Sequence, residues 1–270
     1  MNRSFLSEIV GRKREVLAQL DACERTTLRD EARRIRARAQ PHRLRSALTS
    51  DPARPQIIAE FKRRSPALGE IRPGADPLAI AALYERGGAA AISVLTDTDY
   101  FGGTLDDLIV IRAATELPLL RKDFIIDAVQ IDEAAAAGAD AVLLIVAALD
   151  HDSLGQLRAR AEEELQIDAL VEVHSAEELL RAADCGAMLV GVNNRDLRTF
   201  TVSIETSERL IADAPRHAVM VSESGLRSRA EIDRLARCGY RGFLIGETLM
   251  RASDPEALLR QLTAPALLRI

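Results

Sequence analysis

Eight short apolar, β-branched runs recur along the chain from residue 56 onward, and a segment of helical periodicity follows each. The runs are Gln56–Phe61, Ala90–Leu95, Pro118–Arg121, Ala141–Val146, Ala169–Val173, Met188–Val192, Val219–Val221 and Gly242–Ile245. Their starts are separated by 34, 28, 23, 28, 19, 31 and 23 residues. Between them lie Pro77–Arg86, Leu105–Ala114, Asp127–Ala137, Ser153–Glu164, Ser175–Ala183, Ile204–Ala212 and Ser228–Arg237, and Pro255–Leu268 follows the last. Gly87, Gly138, Gly186 and Gly239 stand where helix C-caps are expected. Repeated strand-then-helix units imply a parallel sheet. Eight units in about 215 residues favour a closed α/β (β/α)8 barrel over an open, doubly wound sheet.

The segment before the first strand reads differently. From Ser4 to about Arg45 it is rich in Leu, Ala, Glu and Arg, with Phe5, Ile9, Val16 and Leu20 at helical spacing. We expect two or more amphipathic helices, with residues 1–50 packed on a barrel of residues 51–270 as one domain. The stretch Arg33-Arg34-Ile35-Arg36-Ala37-Arg38 reads as a solvated helix face, because acidic residues are interleaved nearby and the net charge is −5. That charge argues against nucleic acid as a partner. The longest apolar run, Ala141–Leu149, has nine residues, too short to span a membrane, and the N-terminus lacks a signal-peptide core. A cytoplasmic location is therefore expected. Cys23, Cys185 and Cys238 suit neither a disulfide framework nor a metal knuckle; Cys185 and Cys238 read as packing residues. His42, His151, His174 and His217 lack metal spacing. Only His174 directly follows a strand, and it reads as a helix-capping or solvent-exposed residue. No dinucleotide fingerprint or P-loop is present.

In such a barrel the chemistry sits where strands end. Ionisable groups interrupt several strands there: Glu60 and Lys62, which alternation puts on one face, then Lys122, Glu172 and Glu223. Carboxylates and amines sharing a cleft can set up general acid–base pairs. Thirty-three of the 36 basic residues are arginine, and the lysines are Lys13, Lys62 and Lys122. Two of the three thus stand at strand ends, where a side chain able to give up a proton has a use that guanidinium lacks. Ser224-Gly225 and Gly246-Glu247, after strands seven and eight, occupy the usual phosphate position of this fold. Ser65 and Arg195 can complete that cage.

The strand-end segments resemble the indole-3-glycerol-phosphate synthase family. The resemblance rests on Ile58-Ala59-Glu60-Phe61-Lys62-Arg63-Arg64-Ser65-Pro66, Ile92-Ser93-Val94-Leu95-Thr96-Asp97 with Phe101-Gly102-Gly103, and Leu120-Arg121-Lys122-Asp123-Phe124. It continues through Leu170-Val171-Glu172-Val173-His174, Gly191-Val192-Asn193-Asn194-Arg195-Asp196-Leu197, Ser222-Glu223-Ser224-Gly225 and Gly246-Glu247-Thr248-Leu249-Met250. It implies a barrel with an extra N-terminal helix and closure of the pyrrole ring in tryptophan biosynthesis, without cofactor or metal. The implied substrate is 1-(2-carboxyphenylamino)-1-deoxyribulose 5-phosphate; the products are indole-3-glycerol phosphate, CO2 and water. The resemblance makes Lys122 the general acid and Glu172 the general base. Lys62 binds the substrate carboxylate or acts as a second acid, while Glu60, Asn193 and Glu223 orient the other groups. Ser65, Arg195, Ser224, Gly225, Gly246 and Glu247 hold the phosphate, Glu247 through its backbone alone with its carboxylate turned away. Thr248 replaces the serine most often expected.

With nine aromatics in the chain, the anthranilate ring is expected to rest mainly on Leu95 and Leu143, helped by Phe101 and Phe124. Association with other tryptophan-pathway enzymes is a further expected partnership. The competing readings are a sugar-phosphate isomerase, a Schiff-base aldolase using Lys122 or Lys62, and a non-catalytic barrel subunit.

Overall fold

A computed structural model of the chain describes residues 5–196 and 199–265. Leu197 and residues 266–268, which belong to sequence expectations above, lie outside the described residues. Eight parallel strands close into a barrel: β1 (Gln56–Phe61), β2 (Ala91–Leu95), β3 (Leu119–Lys122), β4 (Ala141–Ile145), β5 (Asp168–Val173), β6 (Leu189–Asn193), β7 (Val219–Glu223) and β8 (Gly242–Ile245). Each pairs with its neighbours in sequence, and β8 returns to β1 through Ile57 opposite Phe243. The expected strands are all present, with ends displaced by at most two residues.

Strand alternation divides the core into two layers. Ile57, Ala59, Phe61, Ile92 and Val94 face outward against the helices. Ile58, Leu120, Leu143, Leu170, Leu189, Val221 and Leu244 fill the interior. Further along the same inward rows the side chains become Glu60, Lys122, Glu172, Asn193 and Glu223. A charged layer therefore sits on an apolar one, at the end from which the βα loops leave.

Three helices precede the barrel: α1 (Phe5–Leu17), α2 (Ala22–Arg36) and α3 (Arg43–Thr49). Leu44 and Leu48 of α3 plug the opposite mouth of the barrel, packing with Ile58, Leu120 and Leu189. α2 lies along the helix Ala128–Ala136. Its basic run is not wholly solvated: Arg36 is buried and donates to the carbonyls of Leu165, Gln40 and Gln166, while Arg33, Arg34 and Arg38 are exposed. The positional signal lies in helical phase, since Arg36 follows the buried Ala32 by one turn.

Other details depart from the sequence reading. Gly138, Gly186 and Gly239 have positive φ at their helix ends, whereas Gly87 is right-handed and Gly88 takes the left-handed position. Gly87 instead lets Leu259 approach, because a Cβ there would lie 2.7 Å from the Leu259 Cβ. The segment read as one helix over Ser153–Glu164 is α-helical over His151–Ala159. It then widens into a π-helical turn over Arg160–Glu164, which carries Arg160 onto Asp132. Cys185 is half-buried against the core, but Cys238 is exposed and not part of it.

Candidate active site

A cavity of about 410 Å³ opens at the C-terminal ends of the strands. Of the sixteen side chains and turns singled out above, all but Glu223 line it. Glu223 is fully buried beneath.

The floor is a charged cluster. Lys122 Nζ lies 3.0 Å from Glu223 Oε2 and 3.5 Å from Glu172 Oε2. Lys62 pairs with Glu60, as strand alternation requires. Burial would push the Lys122 ammonium down, but Glu223, Glu172 and Glu60 outweigh it and hold the amine above its ordinary range, loaded with a proton. Burial raises the Glu172 carboxyl, yet Lys122, His174 and a hydrogen bond from Asn193 bring it below its ordinary value. Glu60 is likewise held down, against burial, by Lys62, Lys122 and Arg195. Glu223 goes the other way, pushed up to about 7 by burial and by the neighbouring carboxylates, with Lys122 opposing.

Two glycines make room for this cluster. A Cβ on Gly191 of β6 would lie 2.0 Å from Glu223 Oε1, and one on Gly246 would lie 2.1 Å from Glu60 Oε1. Gly246 thus has a packing reason beyond phosphate approach.

The loops after β7 and β8 form one side of the mouth. Ser224 and Gly225 both take positive φ, 68° and 79°. For serine this conformation is strained, as residues at functional sites often are. Asn194 stabilises it by donating to the Ser224 carbonyl at 3.1 Å and to Ser222 Oγ at 3.1 Å. Ser65 Oγ, across the mouth, is buried without a hydrogen-bond partner among the described residues. The Arg195 N–H is fixed by Asn193 Oδ1 at 3.0 Å and its guanidinium by the Phe200 carbonyl at 3.2 Å. The Glu247 carboxylate lies 3.5 Å from Arg251 Nε. Thr248 uses its hydroxyl to tie the two loops, donating to the Leu226 carbonyl at 2.7 Å.

The apolar wall is larger than expected. Leu95, Leu143, Phe101 and Phe124 line it, with the two phenylalanine rings 6.1 Å apart. Phe5 and Leu6 of α1, Ile145, Phe200 and Leu244 join them. Phe5 stacks edge-on against Tyr100 and Phe200 at 5.2 and 5.4 Å. Arg227 and Arg251 add cations at the mouth. Sequence reasoning missed these residues. Phe5, Leu6, Phe200, Arg227 and Arg251 sit on α1, on loops or on a short helix, where no strand parity marks them, whereas Ile145 and Leu244 lie on β4 and β8 and share the inward parity of Leu143 and Gly246, a signal the sequence did carry.

Lys13 and His174 acquire places. Lys13 Nζ bridges Asp123 Oδ1 at 2.7 Å and Asp97 Oδ2 at 3.0 Å, pinning α1 to the loops after β3 and β2. His174 is neither exposed nor a helix cap: it stands between Glu172 and Glu178. The first β-strand loop is pinned as well. Its short hairpin of Arg64–Ser65 and Gly69–Glu70 is flanked by Arg63, which grips Asp107 through two bonds of 2.6 and 2.7 Å.

The family model described as indole-3-glycerol phosphate synthase matches residues 6–262. The indole-3-glycerol phosphate synthase of Syntrophobacter fumaroxidans is 47% identical over 260 residues, covering 96% of this chain and 97% of that protein. The protein of the same name from Rhizorhabdus wittichii is 46% identical over 263 residues, covering 97% of this chain and 98% of its own. Among solved structures, a thiamine phosphate pyrophosphorylase from Pyrococcus furiosus superposes with a TM-score of 0.58 at 17% identity, covering 81% of this chain and 95% of that one. That last likeness concerns the fold alone.

Proposed function

The chain belongs to the indole-3-glycerol phosphate synthase family, and from that premise we propose how its residues divide the work. The reaction closes a ring on a phosphorylated substrate, with loss of CO2 and water. Lys122 is the general acid. As the anthranilate ring carbon that bears the carboxylate attacks the substrate carbonyl, the ammonium gives its proton to the carbonyl oxygen. The new carbon–carbon bond forms and the carbonyl becomes a hydroxyl. The bond to the carboxylate then breaks, CO2 departs, and its electron pair restores the ring. In the dehydration that follows, Glu172 takes a proton from the substrate carbon next to the nitrogen while Lys62, freed of the departed carboxylate, gives one to the hydroxyl; the carbon–oxygen bond breaks and water leaves as the new double bond forms.

The observation that carries this reading is the position of Lys122 Nζ, 3.5 Å from Glu172 and 3.0 Å from Glu223 on the floor of the cavity. Acid and base are neighbours of opposite charge, each held ionised in part by the other. Lys62, paired with Glu60 nearer the mouth, receives the substrate carboxylate. Ser65, Arg195 and the backbone of Ser224, Gly225, Gly246 and Glu247 hold the phosphate. The unsatisfied Ser65 hydroxyl and the strained Ser224 turn support that assignment. The anthranilate ring lies on Leu95, Leu143, Phe101 and Phe124. A cytoplasmic enzyme working beside others of the tryptophan pathway fits these features; among the described residues no helix is long and apolar enough to cross a membrane.

Glu172→Gln tests the division of labour. The variant should release CO2 from the substrate while indole emission lags by about 10²-fold or more. Parallel loss of both signals, or of neither, would contradict a base that acts only in the dehydration.

A further inference from the structure

Glu172 has a second cationic neighbour. His174 follows it by two residues on the same strand direction, so the two side chains leave the backbone on one face. His174 Nε2 lies 3.4 Å from Glu172 Oε1, while Lys122 Nζ lies 3.5 Å from Glu172 Oε2. On the other side of the ring, Nδ1 lies 3.2 Å from Glu178 Oε2. That carboxylate also accepts the His174 backbone N–H at 2.7 Å, and the Glu178 N–H is itself bonded to Ser175 Oγ at 3.2 Å. The imidazole is therefore bracketed by two carboxylates, one of them anchored to the start of a helix. Its side chain is 16% exposed, and Nε2 is buried without a hydrogen bond among the described residues.

We propose that His174 is a positioning residue for the ring-closing reaction: as an imidazolium clamped between Glu178 and Glu172, it fixes the Glu172 carboxylate and keeps it ionised to take a proton. The proposal rests on Glu172 being the base. The charged groups that face the ring are Glu172 on β5, Glu178 on the following helix and Glu223 on β7. Burial alone would push the imidazole down; these carboxylates together outweigh it and hold it above the ordinary histidine value. Lys122 grips the same Glu172 carboxylate from the other oxygen, so the base has two cationic supports of different titration range. In the free enzyme Lys122 stays charged as the pH rises, whereas the His174 charge disappears.

The sign of the effect follows. Removing a positive neighbour makes ionisation of Glu172 harder, so its pKa rises and more of it is protonated in acid. The experiment is the pH dependence of kcat/KM for wild type, His174→Gln and Glu178→Gln. The acid limb should move to higher pH by about one unit in His174→Gln, with activity recovering toward wild type on the alkaline side. Glu178→Gln keeps an acceptor for the backbone N–H but removes the charge that sustains the imidazolium, so its limb should move the same way. A loss that is uniform across pH, or an unmoved limb, would overturn the proposal by leaving His174 as packing alone. Proton NMR of the imidazole provides a readout independent of turnover. The resonance lost in His174→Gln should titrate about one unit lower in Glu172→Gln than in wild type, and an unchanged titration would overturn the proposal. Wild-type turnover in Glu172→Gln would overturn the reading of Glu172 as base, and this proposal with it, whatever the imidazole titration shows.

Discussion

At the scale of single residues, three glutamates share one cavity end yet differ in charge state because their neighbours differ. Glu60 and Glu172 each meet cations that overcome burial, while Glu223 is more completely enclosed and is pushed up to about 7. This has a consequence for stability. In the unfolded chain a glutamate ionises near about 4.3, well before folded Glu223 does. Glu223 therefore makes the folded state lose ground as the pH rises from there through about 7. Glu223→Gln removes that dependence. The difference in urea midpoint, variant minus wild type, should increase between pH 5 and pH 7.5, and a flat difference would contradict the raised carboxyl. The Glu60–Lys62 pair was legible in the sequence because two-residue spacing on a strand fixes the face. The Glu172–His174 pair has the same spacing, but an imidazole just past a strand also suits a loop, and only its bracketing carboxylates distinguish the two.

At the scale of elements, the strands hold the chemistry and α1 closes it in. Lys13 of α1 reaches into the barrel loops, and both its partners are almost fully buried, whereas the other such pair of α1, Arg12 with Asp99 at 3.5 Å, is exposed. Lys13→Met removes the cation beside buried Asp97 and leaves buried Asp123 to Arg121. We expect a loss of about 3 kcal/mol in stability, read from the denaturant midpoint, together with reduced kcat because Asp123 follows Lys122 directly. Stability within 0.5 kcal/mol of wild type, roughly the level of a neutral surface change, would contradict the docking role. β6 carries a different constraint. Gly191→Ala sets a methyl against Glu223 Oε1, so we expect a folded barrel, a cost of about 1–3 kcal/mol, and a marked fall in activity as Glu223 shifts. Full activity would mean that Glu223 does not need its present position. The eight strands were readable because apolar runs and helical periods alternate over long stretches. The hairpin at Arg64–Glu70, the short helix Thr98–Phe101 and the short helix Glu247–Arg251 were not, because two to five residues carry no measurable period.

At the scale of the whole molecule, a chain of net charge −5 receives an anionic substrate. The contradiction is resolved locally: Lys62, Lys122, Arg195, Arg227 and Arg251 line the cavity against Glu60, Asp123, Glu172 and Glu247, so the cavity does not share the chain's acidic balance, and Arg195, Arg227 and Arg251 stand at its mouth. The scarcity of lysine points to this end of the barrel through Lys62 and Lys122, which line the cavity; Lys13, for which the sequence offers no role, braces it. Closure of the barrel was legible from the count and spacing of strands. The apolar contribution of Phe5, Leu6 and Phe200 was not, because it depends on how α1 and the β6 loop fold back over the mouth. The central claim is that Lys122 delivers the proton that starts ring closure. The most direct measurement is indole fluorescence developing from 1-(2-carboxyphenylamino)-1-deoxyribulose 5-phosphate, in a protein that contains no tryptophan of its own. Wild type should generate the signal, and Lys122→Arg, which keeps the charge but is a far weaker acid, should lose about 10²-fold or more of kcat; near-wild-type turnover in that variant would contradict the account.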